Sequence, residues 1–257
     1  MELFPALFIG HGSPMNIIND NDYTKSLRKI AYELPKPKAI VVISAHWLTR
    51  GTFITANREP RQIYDFYGFP QDLYKINYAP SGMPLLAKKI ESESKEKPII
   101  SAENWGLDHA AWAVLVHMYP NADIPVLELS IDINQPPSYH FDMGNALGKL
   151  REQEVLVIGS GNLVHNLGKI NINENAKALD WALEADNELK ELILLDQIDA
   201  LFAYPFSSSH GKLAVPTTDH YYPMLYILGM KQRREPINYT FEGIQNGSVS
   251  MRSFKIG

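Results

Sequence analysis

Residues 39–47 read AIVVISAHW, a β-branched run too short to be anything but a buried strand, ending in a histidine between a small and an aromatic residue. Two other segments repeat the arrangement: residues 3–13, LFPALFIGHGS, and residues 155–166, VLVIGSGNLVHN, each an apolar run, then Gly or Ser, then a histidine. Strands buried on both faces read as continuous apolar runs, and the carboxyl ends of such strands line the ligand crevice of an open α/β sheet. His220, in VPTTDHYYPMLY, adds a fourth imidazole from a distant point of the chain. The fold expected is α/β: a single domain over residues 1–257, with a central, mostly parallel sheet flanked by helices and a C-terminal antiparallel hairpin.

Between the first two strands, Asn21 and Asp22 cap a helix that runs through Leu34, and Pro35-Lys36-Pro37 ends it. This β-α-β unit makes the two strands parallel and delivers His11 and His46 to the same sheet edge. Residues 52–80 are less regular, with a short strand TFITA and an aromatic loop (Tyr64, Phe66, Tyr67, Phe69) that either walls a pocket or covers one end of the core. A helix over about Met83 to Glu93 leads to a short strand, PIIS. Asp108 then caps a helix with His109 in its first turn and an apolar stripe of Trp112, Leu115, Val116 and Tyr119. His117 and His140 read as packing residues.

Further on, the strand PVLELS and a helix from Pro137 through Leu150 lead into the Val155 strand. The stretch from Gly159 to Asn166 lacks the spacing of a dinucleotide fingerprint, and its glycines suit a tight bend around a ligand. A long amphipathic helix is expected from about Glu174 to Leu195, with Trp181, Leu189 and Leu192 in the core. His210, Pro216 and His220 then fall in an irregular stretch before a helix, YYPMLYILG. Asn246-Gly247 is a type I′ turn signal between the last two strand-like runs, so a hairpin closes the sheet.

Composition excludes several classes. With 24 Lys plus Arg against 29 Asp plus Glu, the net charge is -5, and no basic run tracks a phosphate backbone, so nucleic acid is not an expected partner. Cysteine is absent, which removes disulfides, thiolate catalysis and Cys-type zinc sites together. A metal would be held by His, Asp or Glu. The start, MELFPALFIGHGSP, has an acidic residue where an export signal has basic ones, and its apolar run stops short of a membrane span; the expectation is a cytoplasmic protein with no membrane partner.

Of the eight histidines, His11, His46 and His165 each follow a strand at its expected carboxyl end. Neutral imidazoles gathered in this way are the ligand type for a first-row divalent ion with positions left open for reactants. No HExxH or other compact ligand motif accompanies them.

Several motifs together carry a more specific signal. FIGHGSPM, VVISAHW, NWGLDHAAW, VIGSGNLVHN and PTTDHYYPMLYILG occur in the order seen in the class III extradiol ring-cleaving dioxygenases, and the chain resembles their DOPA-dioxygenase-like branch along almost its whole length. The resemblance implies one divalent metal ion held by His11, His46 and His220, with His165 as the acid-base residue. It makes His109 a second pocket histidine that binds or protonates substrate; the competing reading of His109 is a helix-cap residue without chemistry. Ser13, Trp47 and Tyr221 are the candidate substrate contacts, and Asp219 a carboxylate that orients a ligand imidazole.

Part of the family completes two histidines with a glutamate, whereas the corresponding motif here has His220. An all-histidine set suits Fe(II) for oxygenase activity and equally Zn(II) as the resident metal. The implied reaction is insertion of O2 into a catechol such as DOPA, with 4,5-cleavage to a semialdehyde; the partners are that small molecule and O2. Two alternatives use the same histidines: a zinc hydrolase that activates water, and a metal- or catechol-binding protein without turnover.

Overall fold

The computed structural model describes residues 3–207 and 209–257. Glu2, the acidic residue at the start of the chain, lies outside them together with Met1 and Ser208. In chain order the elements are β1 (Ala6–Gly10), α1 (Asp22–Glu33), β2 (Ala39–Thr49), β3 (Thr52–Thr55), α2 (Pro84–Glu93), β4 (Ile99–Ala102), α3 (His109–Met118), β5 (Val126–Asp132), α4 (Pro137–Leu147) and β6 (Val155–Gly161). The C-terminal part adds α5 (Asp180–Leu194), α6 (Ile198–Ser207), α7 (Ser209–Ala214), α8 (Tyr222–Gly229), β7 (Ile237–Phe241), β8 (Ile244–Gln245), β9 (Val249–Ser250) and β10 (Ser253–Ile256).

Among the described residues the main sheet has eight strands in the order β4-β3-β5-β2-β6-β1-β10-β7. Its centre, β5-β2-β6-β1, is parallel, and β10 and β7 continue it antiparallel. Alternate residues of the central strands face two separate cores. Phe8, Val41, Ile43, Leu129 and Val157 pack with α4, α5 and α8, while Leu7, Ile9, Ile40, Val42 and Ile158 pack with α1 and α3. Burial on both faces is what makes 39–47 a near-continuous apolar run.

The capping residues behave as their chemistry requires. Asn21 accepts from Thr24 N while Thr24 Oγ1 accepts from Asn21 N, a reciprocal box that starts α1. Asn246 and Gly247, at φ 53° and 75°, turn β8 back on β9 in a small two-stranded hairpin of its own. The sheet edge itself is closed by the longer antiparallel pair β7 and β10.

Four expectations change. The second helix of the C-terminal half starts at Asp180 instead of Glu174, because Asn171 and Asn173 side chains cap the backbone two residues on, and Glu174 is taken by Asn19, Asn21 and Gln245. Leu189 is fully buried, while Trp181 and Leu192 only flank the core. His210 is helical, in α7, and lies 3.4 and 3.2 Å from Glu184 and Glu188. Residues 148–153 form a 3-10 turn rather than the end of α4.

Gly159 and Gly161 are also placed differently from expectation. They are strand residues of β6, and their role is close approach: a Cβ would lie 2.4 Å from Pro223 O at Gly159 and 2.2 Å from His220 O at Gly161. The missing side chains let the segment that carries His220 lie directly on the sheet.

Candidate active site

Local backbone geometry gathers the histidines. β1 and β2 both pair in parallel with β6, so Gly10, Ser44, Ser160 and Gly161 lie together at the carboxyl edge. β2 and β5 pair regularly through Ile43↔Leu129 and resume at Leu48↔Ile131. The extra residues bulge out of β2 between Ser44 and Trp47, and a bulge re-aims the side chains it carries. His46 sits in it. His11 follows β1 directly, with its N–H on Gly161 O at 3.0 Å; His220 precedes α8, with its carbonyl accepting Asn162 N at 2.9 Å.

The rings of His11, His46 and His220 are nearly equidistant, with centroids 5.2, 5.2 and 5.0 Å apart for the pairs 11–46, 11–220 and 46–220. His109 closes on His46 at 4.1 Å, and His165 stacks on His220 at 3.6 Å with planes 12° apart. Potential ligand atoms group as His11, His46 and His109 on one side and His165, Asp219 and His220 on the other. The two groups meet across the 46–220 contact, so all five imidazoles expected to carry chemistry are brought together.

Tautomers follow from the partners. Ser160 Oγ donates to Ala110 O at 2.6 Å, so toward His11 Nδ1, 3.0 Å away, it acts as acceptor. Asp219 accepts from His220 Nδ1. Asp65 Oδ2 lies 2.8 Å from His46 Nδ1. Each of these rings therefore carries its proton on Nδ1 and has a lone pair on Nε2. His11 Nε2 and His46 Nε2 are 3.3 Å apart. Two facing lone pairs at that distance repel unless a proton or a cation lies between them, so the donor set fits a bound metal ion, with the acceptors behind each imidazole that metal-bound histidines require.

Electrostatics keep most of these rings neutral. Burial first, and then the neighbouring imidazoles, lower His11 well below the ordinary value; burial and His220 take His165 down to about 2. His220 is pushed down to about 4 by burial, against the pull of Asp219. Burial works against the charged form of His46 as well, but Asp65 and Asp108 outweigh it and the net shift is upward. Asp65 itself, although burial opposes ionisation, is held below the usual carboxylate range by His109 and His46.

Beneath the site lies a buried polar floor. Ser44 Oγ donates to Asp108 at 2.7 Å and accepts His46 N at 3.0 Å, and Asp108 caps α3 through Ala110 N at 3.0 Å. Glu128 accepts Asp108 N and Trp105 Nε1 at 3.0 and 2.8 Å, and burial followed by the Asp108 charge raises it well above the carboxylate range. This floor ties the bulge of β2 to the start of α3.

The candidate substrate contacts are placed less closely. Ser13 Oγ accepts Met15 N at 3.2 Å at the start of a 3-10 turn beside His11. Trp47 is buried and stacked on Trp105, with centroids 5.5 Å apart and planes 4° apart. Tyr221 is fully buried in the apolar core and donates its hydroxyl to Leu201 O at 3.0 Å, a packing position rather than a pocket wall. His117 Nε2 donates to Asn16 O at 2.8 Å, and His140 stacks on Tyr222; both are outside the cluster.

Asp65 is the residue that the sequence reading missed. It lies in the aromatic loop, where Phe66 is buried edge-on to His109 at 5.4 Å while Tyr67 is exposed. Of the two readings of this loop, cover of the core holds for Phe66, which packs in the core cluster and also stands edge-on to His109.

With this geometry in hand, comparison with known proteins is decisive. The family described as the catalytic LigB subunit of aromatic ring-opening dioxygenase matches residues 5–249. The chain belongs to this family. It is a LigB-type extradiol aromatic ring-opening dioxygenase by membership. Among curated LigB-type relatives, the 4,5-DOPA dioxygenase extradiol of Escherichia coli (strain K12) is 44% identical over 257 residues, covering 98% of this chain and 94% of that one. The protein of the same name from Beta vulgaris is 34% identical, covering 97% and 95%. A crystal structure of an uncharacterized protein from Escherichia coli K12 superposes with a TM-score of 0.85 at 41% identity, covering 99% of this chain and all of that one.

Proposed function

We propose that this protein opens the ring of a catechol of the DOPA type by 4,5-cleavage to a semialdehyde, acting as one catalytic domain with Fe(II) at a site formed by His11, His46 and His220. The observation that carries the reading is the pair of Nε2 atoms 3.3 Å apart on rings whose Nδ1 positions already have acceptors. The names of the relatives support the choice of DOPA as substrate. A bound Fe(II) ion supplies the redox chemistry by which O2 reacts with an electron-rich ring, which Zn(II) does not supply.

The protein's own contribution is to orient and to move protons. Ser160, Asp65 and Asp219 hold the three imidazoles with Nε2 inward. His165, stacked on His220 beside the proposed ligands, is placed to take a proton from a catechol hydroxyl on a ring nitrogen. Having taken it, the same imidazole is the acid for a later step, so one residue serves both halves of the reaction. Phe66 and the surrounding aromatic loop keep water from one side of His109.

Among the described residues no helix is long and apolar enough to cross a membrane. A cytoplasmic location is part of the proposal, supported by the acidic, cysteine-free sequence. The test of function is a catechol panel: metal-stripped protein is reloaded anaerobically with Fe(II) or Zn(II), mixed with aerated DOPA or simpler catechols, and followed by absorbance. A yellow ring-opened product in the Fe(II) sample alone is the expected result. No product from any catechol at confirmed Fe(II) occupancy refutes the reading.

A further inference from the structure

We infer that Asp65 is a positioning residue that fixes His46 and His109 in the same tautomer with one carboxylate, so that both rings turn an Nε2 lone pair into the site. The part of this that concerns turnover rests on the ring-opening reading above; the part that concerns metal binding does not.

The geometry is specific. Asp65 Oδ2 lies 2.8 Å from His46 Nδ1 and 3.0 Å from His109 Nδ1, in oblique contacts, and Oδ1 accepts the backbone N–H of His109 at 2.9 Å. Among the described residues neither Asp65 Oδ2 nor His109 Nδ1 makes an aligned hydrogen bond, to the other or elsewhere, so two buried polar atoms face each other at 3.0 Å. A carboxylate only accepts, so each ring facing it must bring a proton on Nδ1. The two rings stand edge to face at 4.1 Å and 75°, which leaves room for one shared acceptor between them.

Asp65 is also not free to follow one imidazole and abandon the other. Its loop is tied to the helix that carries His109: Ile63 N donates to Leu107 O at 2.8 Å, and Trp112 Nε1 donates to Ile63 O at 2.9 Å. Tyr64 Oη donates to Ile76 O at 2.6 Å, and Phe66 packs edge-on to His109. A carboxylate on a loop anchored at these points holds both rings together.

This supports the reading of His109 as a pocket histidine. With Nδ1–H on Asp65 it presents an acceptor at Nε2, suited to take a hydrogen bond from a catechol hydroxyl. Asparagine at position 65 has one acceptor and one NH2. It cannot serve all three donors: with its carbonyl at the Oδ2 position its NH2 meets the backbone N–H of His109, and with its NH2 there both rings are forced to put the lone pair on Nδ1 and the proton on Nε2.

The experiment compares wild type, Asp65→Asn, Asp65→Glu, His109→Ala and the double variant Asp65→Asn/His109→Ala. Zinc(II) alone, titrated calorimetrically into metal-free protein, reads the His46 half without turnover. Asp65→Asn is expected to weaken Zn(II) binding by about 10- to 100-fold, and Asp65→Glu, which keeps the acceptor, to recover part of it. Oxygenation of DOPA at saturating Fe(II) reads the His109 half: Asp65→Asn lowers kcat by about 10-fold or more with KM little changed, and adds under about twofold to the loss in the His109→Ala background.

Zn(II) affinity within about twofold of wild type in Asp65→Asn overturns the proposal, as does a kcat loss that is undiminished when His109 is already alanine. If wild type oxygenates no catechol, the ring-opening reading fails, and the Zn(II) titrations alone then decide on Asp65. Should the asparagine variant not fold, judged by its thermal melt, Asp65→Glu carries the same test: affinity and kcat both below wild type support the role, and both unchanged refute a tautomer lock that depends on carboxylate position.

Discussion

The ring of His165 lies flat against that of His220, with centroids 3.6 Å apart and planes 12° from parallel. The stack holds the proposed acid-base residue beside a proposed ligand without spending either ring's outer nitrogen. His165→Ala is therefore expected to keep Zn(II) affinity close to wild type and to lower kcat for DOPA by about 10²- to 10⁴-fold. Calorimetric titration and steady-state kinetics on the same preparation check both halves; wild-type turnover removes His165 from the mechanism.

Gly161 has no room for a methyl group, since a Cβ would sit 2.2 Å from His220 O. Gly161→Ala is expected to push the His220 segment off the sheet, costing about 1–3 kcal/mol of stability and weakening metal binding at the same time. Urea unfolding and Zn(II) titration report the two effects. A stable variant with full affinity contradicts the close-approach role.

Tyr221 separates a core position from a substrate contact. Its hydroxyl donates to a buried carbonyl, so Tyr221→Phe should cost about 1 kcal/mol in unfolding and leave KM for DOPA unchanged. A raised KM with unaltered stability would return Tyr221 to the pocket.

His140, away from the cluster, makes stability depend on pH in a defined direction. Burial takes it down from 6.5 to about 4, so the unfolded chain binds a proton that the folded one refuses between those values. The stability contributed by the neutral ring is complete above about pH 6.5 and is lost as pH falls toward 4, the loss reaching about 3 kcal/mol once pH 4 is passed. Urea melts of wild type and His140→Gln at several pH values check it: the variant should lose less stability on acidification, and equal losses contradict the assignment.

Much of this architecture was legible because it follows from local chemistry. The apolar run at 39–47, the Asn21 cap, the Asp108 cap before His109 and the Asn246-Gly247 turn each announce an element directly. The histidines were legible because a strand followed by a turn delivers them to one edge. Asp65 was not, since a carboxylate in an aromatic loop has no spacing that relates it to His46 or to a helix that begins at His109; only the folded loop brings them together. The glycines of β6 were misread for a similar reason. What demands them is the His220 backbone, distant in sequence, and not a bend in their own chain. Residues 198–214 hid two helices behind Pro205 and a serine-rich run that reads as loop.

The most direct measurement is O2 consumption in a single addition. A known, limiting amount of DOPA is added to aerated protein loaded with Fe(II), with Zn(II)-loaded protein beside it, and dissolved O2 is followed with an electrode while DOPA is quantified. The account predicts one O2 consumed per DOPA lost in the Fe(II) sample and none in the Zn(II) sample. DOPA consumed without O2, or no O2 uptake at full Fe(II) occupancy, would contradict it.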